Sequence, residues 1–270
     1  VKTHTLEALL QAMDALAELR QPTWVATDAD GTLWATDVAD RAWAKLLRER
    51  RLLPAAEPVM ARGLRKAGLT PTGDVHADAA RLYEAYRAGA IDDWAMLDAM
   101  TACFAGWSEA EVREFGRDLA HAEIAPRTYS TTVDLLKAIV DRGHRVAVVS
   151  GSPQLLVDEA VRTLGVPALV VGVQLEPEGA LLSDRLRQPI PWEHGKVQAL
   201  AAHGVRAPVA FGDTLGDLAL LEAAQLRVLV HPRPALRARA VAHDGWCLFA
   251  PCRTVGGHEV APPIVDHTIV

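Results

Sequence analysis

From about residue 35 to residue 125 the chain offers only helical periodicity, and on both sides of that stretch it offers short apolar runs of strand type. Inside the stretch, Trp43, Leu46 and Leu47, then Ala79, Leu82, Tyr83 and Tyr86, then Trp94, Leu97, Met100 and Cys103 recur at spacings of three and four, which line one face of a helix. Asp92 and the Ser108-x-x-Glu111 pattern mark helix starts within it, so four or five short helices are expected. Before it, Leu6 to Arg20 reads as an amphipathic helix broken by Pro22, and Thr23 to Thr27 as a strand. After Pro126 the pattern alternates. A helix over 131–142 is closed by Gly143, and a strand over 145–149 runs into Ser150-Gly151-Ser152-Pro153, where Ser152 is expected to cap the next helix and Pro153 to open it. Further strands are predicted at 168–172, 209–211, 228–230 and 246–249. Strands that alternate with helices and are apolar throughout belong to a mostly parallel sheet covered on both faces, so the fold class is α/β. The division is into a core of residues 1–34 and 126–270 and a helical insert of residues 35–125.

Polar clusters fall at the ends of the predicted strands. Asp28-Ala29-Asp30-Gly31-Thr32-Leu33 follows the first strand, Ser150-Gly151 the second, and Asp213-Thr214-Leu215-Gly216-Asp217 the strand at 209–211, while Lys196 lies between the last two. Ligands of open α/β sheets collect at this edge. Transfer of a phosphoryl group needs an in-line nucleophile, a proton donor for the leaving oxygen, and positive charge with hydrogen-bond donors around the phosphoryl oxygens. Asp28, Asp30, Lys196 and Ser150 supply these in turn, and Asp28 with Asp213 supplies hard oxygen ligands for Mg²⁺. Each cluster also has an ordinary reading: Asp-Gly as a turn, Ser150 to Pro153 as a turn with a helix cap, Lys196 as a solvated lysine, and Asp213 with Asp217 as a turn and a cap. His194 reads as a surface-loop residue rather than an acid or base.

Composition limits the alternatives. A formal net charge of −6 argues against a duplex nucleic-acid binder, which needs a basic face. Cys103, Cys247 and Cys252 are too few and too unevenly placed for a disulfide framework or a Cys-rich zinc site, which fits a cytoplasmic protein. No apolar run approaches the ~20 residues that span a bilayer. The chain opens on Val1 without Met, which leaves a removed leader, and with it a periplasmic location, open.

Taken together, Asp28-x-Asp30-Gly31-Thr32-Leu33, Val148-Val149-Ser150-Gly151, Lys196 and Gly212-Asp213-x-x-x-Asp217 resemble the four motifs of the haloacid dehalogenase superfamily, in particular its phosphoserine-phosphatase-like branch. The resemblance implies a Rossmann-like core with a mobile helical cap inserted after the first motif. It implies Asp28 as nucleophile and Asp30 as general acid and base, with Ser150, Gly151 and Lys196 binding phosphate. The metal site would take Asp28, the backbone carbonyl of Asp30 and Asp213, supported by Asp217. The expected activity is Mg²⁺-dependent hydrolysis of a small phosphorylated metabolite. A phosphotransferase or mutase, or a non-catalytic scaffold that binds phosphate or a partner protein, are the alternatives; Asp30 at nucleophile-plus-two argues against dehalogenation. The insert is longer than expected for a phosphoserine phosphatase.

Phosphoserine phosphatases read the substrate ammonium with a cap carboxylate nine residues after the nucleophile, and Asp37 stands at that spacing here. Trp34, Trp43, Tyr83, Tyr86, Trp94 and Trp107 surround it in sequence, and aromatic faces attract cations. An amine or quaternary ammonium on the substrate, met by Asp37, Trp34 and Trp43, is therefore expected. The alternative for Asp37 is a helix cap, and for the aromatics a place in the core.

Overall fold

Short runs of Val, Ala, Leu and Phe form one seven-stranded sheet. The computed structural model describes residues 2–241, 245–251, 253–255 and 258–260. In chain order its elements are β1 (Lys2–His4), α1 (Leu6–Asp14), β2 (Trp24–Thr27), α2 (Val38–Glu49), α3 (Glu57–Lys66), α4 (Val75–Arg87), α5 (Asp93–Ala102), α6 (Glu109–Leu119), α7 (Ser130–Asp141), β3 (Arg145–Pro153), α8 (Gln154–Arg162), β4 (Ala168–Val173), β5 (Leu175–Glu178), β6 (Leu181–Leu186), α9 (His194–Ala202), β7 (Val209–Gly212), α10 (Leu218–Glu222), β8 (Leu226–Val230), α11 (Pro234–Val241) and β9 (Trp246–Phe249). The sheet order is β1-β9-β8-β7-β2-β3-β4, and every neighbouring pair is parallel.

Successive strand residues point to opposite faces, and the core divides accordingly. Val25, Val146, Val148, Val209, Phe211, Val228 and Val230 belong to one hydrophobic cluster. Their neighbours Ala26, Ala147, Val149, Ala210 and Leu229 belong to a second, with Leu200, Leu220, Leu221 and Leu236 from the helices beneath. Covering both faces is what a parallel sheet requires. From β2 the chain first extends the sheet through β3 to β4, then returns to place β7 on the other side of β2. Strand order therefore reverses at β2, and a crevice opens beyond the carboxyl ends of β2, β3 and β7, where ligands of such sheets lie.

Helices α2 to α6 fill the stretch between β2 and β3 that lacked strand signals. Their starts are capped by side chains: Asp37 accepts from the Asp40 N–H, Asp92 from Ala95, and Ser108 and Glu111 form a reciprocal capping box. The apolar stripe of this segment is not a core of its own. Leu46, Met60, Leu82, Phe104 and Phe115 lie in the same cluster as the Val25 face of the sheet. Arg113 of α6 adds ion pairs to Asp158 (3.1 Å) and Glu159 (3.3 Å) of α8.

Several local expectations are corrected. The first helix stops at Asp14, and a 3₁₀ turn over Ala17–Arg20 follows. Ser152 and Pro153 continue β3, α8 begins at Gln154 with no side-chain cap, and the Ser152 hydroxyl goes elsewhere. The antiparallel pair β5–β6 and strand β1 carried no recognised signal. β6 is also tied to the helical segment, since Leu182 N–H donates to Trp107 C=O and Gly106 N–H to Leu182 C=O, each at 2.8 Å. No helix of the described residues is long and apolar enough to cross a membrane. Cys103 and Cys247 are buried free thiols, and Cys252 lies outside the described residues.

Candidate active site

Asp28 is the first residue beyond β2, and its N–H still donates to Phe211 C=O of β7 at 3.0 Å. That last ladder bond fixes the backbone, and the buried side chain then projects from the sheet edge. Its Oδ1 accepts from Lys196 Nζ at 2.6 Å and its Oδ2 from Thr32 Oγ1 at 3.2 Å. Lys196 stands in the first turn of α9, which begins after Glu193 takes a φ of 48° and ψ of −119°, a backbone conformation normally left to glycine. The same ammonium donates to Asp217 Oδ1 at 2.5 Å. Asp217 is saturated on its other oxygen by the N–H groups of Asp213 and Thr214, each at 3.0 Å, and by the Thr214 hydroxyl at 3.2 Å. It thus builds the loop after β7 and anchors the lysine.

Asp213, on that loop, is different. It is 2 % exposed, and its Oδ1 is buried with no hydrogen-bond partner. Its carboxylate lies against Gly31, where a Cβ would overlap it and where φ is +79°. A glycine after Asp30 is therefore required twice, by the turn and by the approach of Asp213.

Asp30 faces another way, with its carboxylate outside the group of oxygens that Asp28, Asp213 and Asp217 bring within 4.8 Å of one another. Oδ1 accepts from Trp34 Nε1 and from Val38 N–H, both at 2.8 Å. Oδ2 accepts from Ser152 Oγ at 2.7 Å and from Ser150 Oγ at 3.3 Å. Burial pushes the Asp30 carboxyl up from its ordinary value, against these hydrogen bonds. The Ser152 hydroxyl expected to cap α8 is thus spent on Asp30. Sequence reasoning missed this, because a serine before a proline and a helix looks like a cap.

Above these groups is a cavity of about 990 Å³. Its floor holds Asp28, Asp30, Ser150, Gly151, Lys196 and Asp213, while α2, α4 and α5 supply the roof with Asp37, Asp40, Tyr83, Tyr86, Arg87 and Asp93. Tyr86 OH donates to Asp93 at 2.8 Å, and Tyr83 hydrogen-bonds Asp40. Burial, then the charges of Asp30 and Asp40, hold the Asp37 carboxyl well above the carboxylate range. The expected aromatic cage is corrected here. Trp34 and Trp43 are 0 % and 1 % exposed and do not line the cavity. The Trp34 indole is claimed by Asp30, and Trp43 falls on the buried stripe of α2. Trp107 packs with Phe104 and Phe115 under Arg51, and Trp94 is largely exposed. The aromatic residues that do line the cavity are Tyr83, Tyr86 and Trp192. The last had no periodic signal, since it sits in the irregular stretch before α9. His194 is exposed and away from the lining.

The electrostatics of the floor are unbalanced. Burial first, then the Asp217 charge, pushes Asp28 up to about 7 while Lys196 pulls it down. Burial works against the Lys196 charge too, but Asp217 and Asp28 outweigh it and raise its pKa. Asp213 is pushed well above its ordinary value by burial and by Asp217 and Asp28, with Arg233 Nε 3.9 Å away as a distant counter-charge. Four carboxylates, of Asp28, Asp30, Asp213 and Asp217, share one buried ammonium. A crowded carboxylate with an unpartnered buried oxygen, beside a second carboxylate, is the donor set of a hard divalent cation. Asp28, with one donor on each oxygen, and Asp213 fit that role better than Asp217, which already takes four donors.

Comparison with known proteins agrees with this arrangement. A family model of haloacid dehalogenase-like hydrolases matches residues 25–222. A probable phosphatase of Mycobacterium tuberculosis is 27% identical over 169 residues, which cover 60% of this chain and 58% of that protein, so the chain spans less than two thirds of that relative. Histidinol-phosphatase of Neisseria meningitidis is 26% identical over 230 residues, covering 81% of this chain and 94% of the relative. Among solved structures, a substrate-bound phosphoserine phosphatase superposes with a TM-score of 0.52 at 18% identity, covering 84% of this chain and 93% of the other, a likeness of fold.

Proposed function

Because the chain belongs to the haloacid dehalogenase-like hydrolase family, we propose that it is a Mg²⁺-dependent phosphomonoesterase that works through a phosphoryl group carried on Asp28. The observation that carries this reading is the buried Asp28–Lys196 pair at the switch point of the sheet, 2.6 Å long, with Asp30 two residues on and Asp213 beside it. Asp28 attacks phosphorus, and the leaving alkoxide takes the Asp30 proton. Water then attacks the phosphoryl group on Asp28 and returns a proton to Asp30. Lys196 has three N–H donors, of which Asp28 and Asp217 engage two, leaving one for a phosphoryl oxygen. Ser150 and Gly151 line the same floor and supply further donors. Asp28, Asp213 and the backbone carbonyl of Asp30 would hold Mg²⁺, which when bound neutralises the crowded carboxylates and the phosphate charge.

The substrate reading follows from the roof. Asp37, Asp40 and Asp93 face the cavity with Arg87 as the basic residue among them, a wall suited to a cationic group beyond the phosphate. The relative named histidinol-phosphatase, and the fold neighbour named phosphoserine phosphatase, take their names from phosphate esters that also carry an amine. The 35–125 stretch acts as the cap in this reading. The test is release of inorganic phosphate from p-nitrophenyl phosphate with and without Mg²⁺: no release under either condition would favour a phosphate-binding scaffold.

A further inference from the structure

Asp30 gives a proton in one half-reaction and receives one in the other, so the side of the carboxyl that carries the proton decides whether transfer succeeds. A carboxylate has about four acceptor directions. Both at Oδ1 are filled by N–H groups, of the Trp34 indole and of Val38 at the start of α2. An N–H cannot turn round to accept, so a proton on Oδ1 would face a donor. At Oδ2 one direction is filled by the short bond from Ser152, 2.7 Å, whose hydroxyl has no other acceptor among the described residues and so would strand its own hydrogen if it turned to accept, and the other is shared with Ser150 at 3.3 Å. Ser150 lines the cavity floor and also accepts the Ser152 N–H at 3.0 Å. When the Ser150 hydroxyl turns to a phosphoryl oxygen, the direction it shared is the one left open.

We infer that Ser152 is a positioning residue of the reaction: its hydroxyl closes one side of Asp30 Oδ2 and so confines the transferable proton to the side that faces the substrate. Its diversion from the start of α8, which is left without a side-chain cap, is consistent with that employment. The inference rests on the phosphatase reading of Asp30. In the forward step the Oδ2–H bond breaks and a new O–H forms on the ester oxygen as the P–O bond breaks and the bond from Asp28 to phosphorus forms. In the return step water loses a proton to Oδ2 as its oxygen bonds phosphorus and the bond to Asp28 breaks.

An alkyl ester needs the proton and a nitrophenyl ester does not. The test is therefore kcat/KM, which reports transfer to Asp28 alone, for phosphoethanolamine and for p-nitrophenyl phosphate in the wild type and in Ser152→Ala. General-acid help is worth about 10²–10⁴-fold, of which correct aim is a part, so a loss of about 30-fold is expected on phosphoethanolamine and less than about threefold on the aryl ester. Trp34→Phe keeps the ring and removes the N–H, which opens a second seat for the proton at Oδ1, and should show the same split more weakly. Equal losses on the two esters in either variant would overturn the assignment. A wild type inactive on both esters would sink the phosphatase reading itself.

Discussion

The floor and the roof of the cavity are built on different terms. On the floor, Lys196 links Asp28 to Asp217, Asp217 holds the Asp213 loop, and Asp30 takes donors from four residues, so Asp28, Asp30 and Asp217 are each held by several hydrogen bonds. On the roof, Asp93 takes a bond from Tyr86 and Asp37 caps α2, so these two carboxylates have fewer acceptor directions filled than Asp30. Fixed geometry suits bond making, which tolerates little displacement. Spare acceptors suit recognition of a group supplied by the ligand. On the proposed reading the floor would set what reaction occurs and the roof which ester undergoes it.

The largest effect should come from the floor. Asp28→Asn is expected to cut phosphatase turnover below about a hundredth of wild type, more than about 2.7 kcal/mol in activation free energy, with an unchanged melting transition. Turnover above that level would break the assignment of Asp28 as the nucleophile.

The next prediction separates two floor carboxylates. Asp217→Ala removes the anchor of Lys196 and of the Asp213 loop and should destabilise the protein by about 2 kcal/mol in denaturant titration, the scale of a lost charged hydrogen bond. Asp213 has a raised pKa in the folded chain, so its ionisation opposes folding as pH rises above the unfolded carboxylate value. Asp213→Asn should therefore stabilise the metal-free protein at neutral pH, and the rise in melting temperature that Mg²⁺ is expected to give the wild type should be absent from the variant. Equal behaviour of the two variants would erase the distinction between ligand and anchor.

A smaller effect is expected on the roof. Asp37→Asn should leave turnover of glycerol phosphate alone and lower kcat/KM for phosphoethanolamine and phosphocholine by about tenfold, roughly one charge-assisted hydrogen bond. An unchanged preference would remove the ammonium reading and leave the phosphatase reading standing.

The smallest concerns how the roof is held. Asp78 is fully buried in α4, and although burial works against its charge, the Thr72 and Gly73 N–H groups and the Thr72 hydroxyl outweigh that and lower its pKa. A depressed carboxylate contributes stability that is present above the unfolded value near ~3.9 and is lost as pH falls through the lower folded value. Asp78→Asn should cost about 1 kcal/mol at pH 7 and flatten the acid limb of the stability profile. A pH-independent loss would point to packing instead.

The same contrast explains what could be read from the sequence. Asp28, Asp30 and Asp213 lie just beyond strands whose apolar runs announce themselves and Ser150 near the carboxyl end of another, where side chains meet the crevice; Lys196 reaches the same place from the first turn of α9. Asp40, Tyr86, Arg87, Asp93 and Trp192 converge only because helices and an irregular stretch pack in one way, and nothing local encodes that. Trp34 and Ser152 were visible but misassigned. Each had a sound local reading, a ring for a cation and a helix cap, and a long-range demand from Asp30 won in both cases. The helical segment was recognisable from its periodicity. Its continuity with the core of the sheet was not, because a stripe of apolar residues does not say what it packs against.

The bond from Val38 N–H to Asp30 has a thermodynamic consequence. It joins the first turn of a roof helix to Asp30, the proposed proton donor, so the order of one is linked to the order of the other. A ligand that settles α2 therefore also steadies the aim of Asp30, so part of its binding free energy can be expressed in the chemical step. An ester too short to touch the roof would then bind its phosphate fully yet react slowly, and a separate amine that fills the roof should restore part of the lost rate. Discrimination would be exercised in the speed of the chemical step more than in the strength of capture.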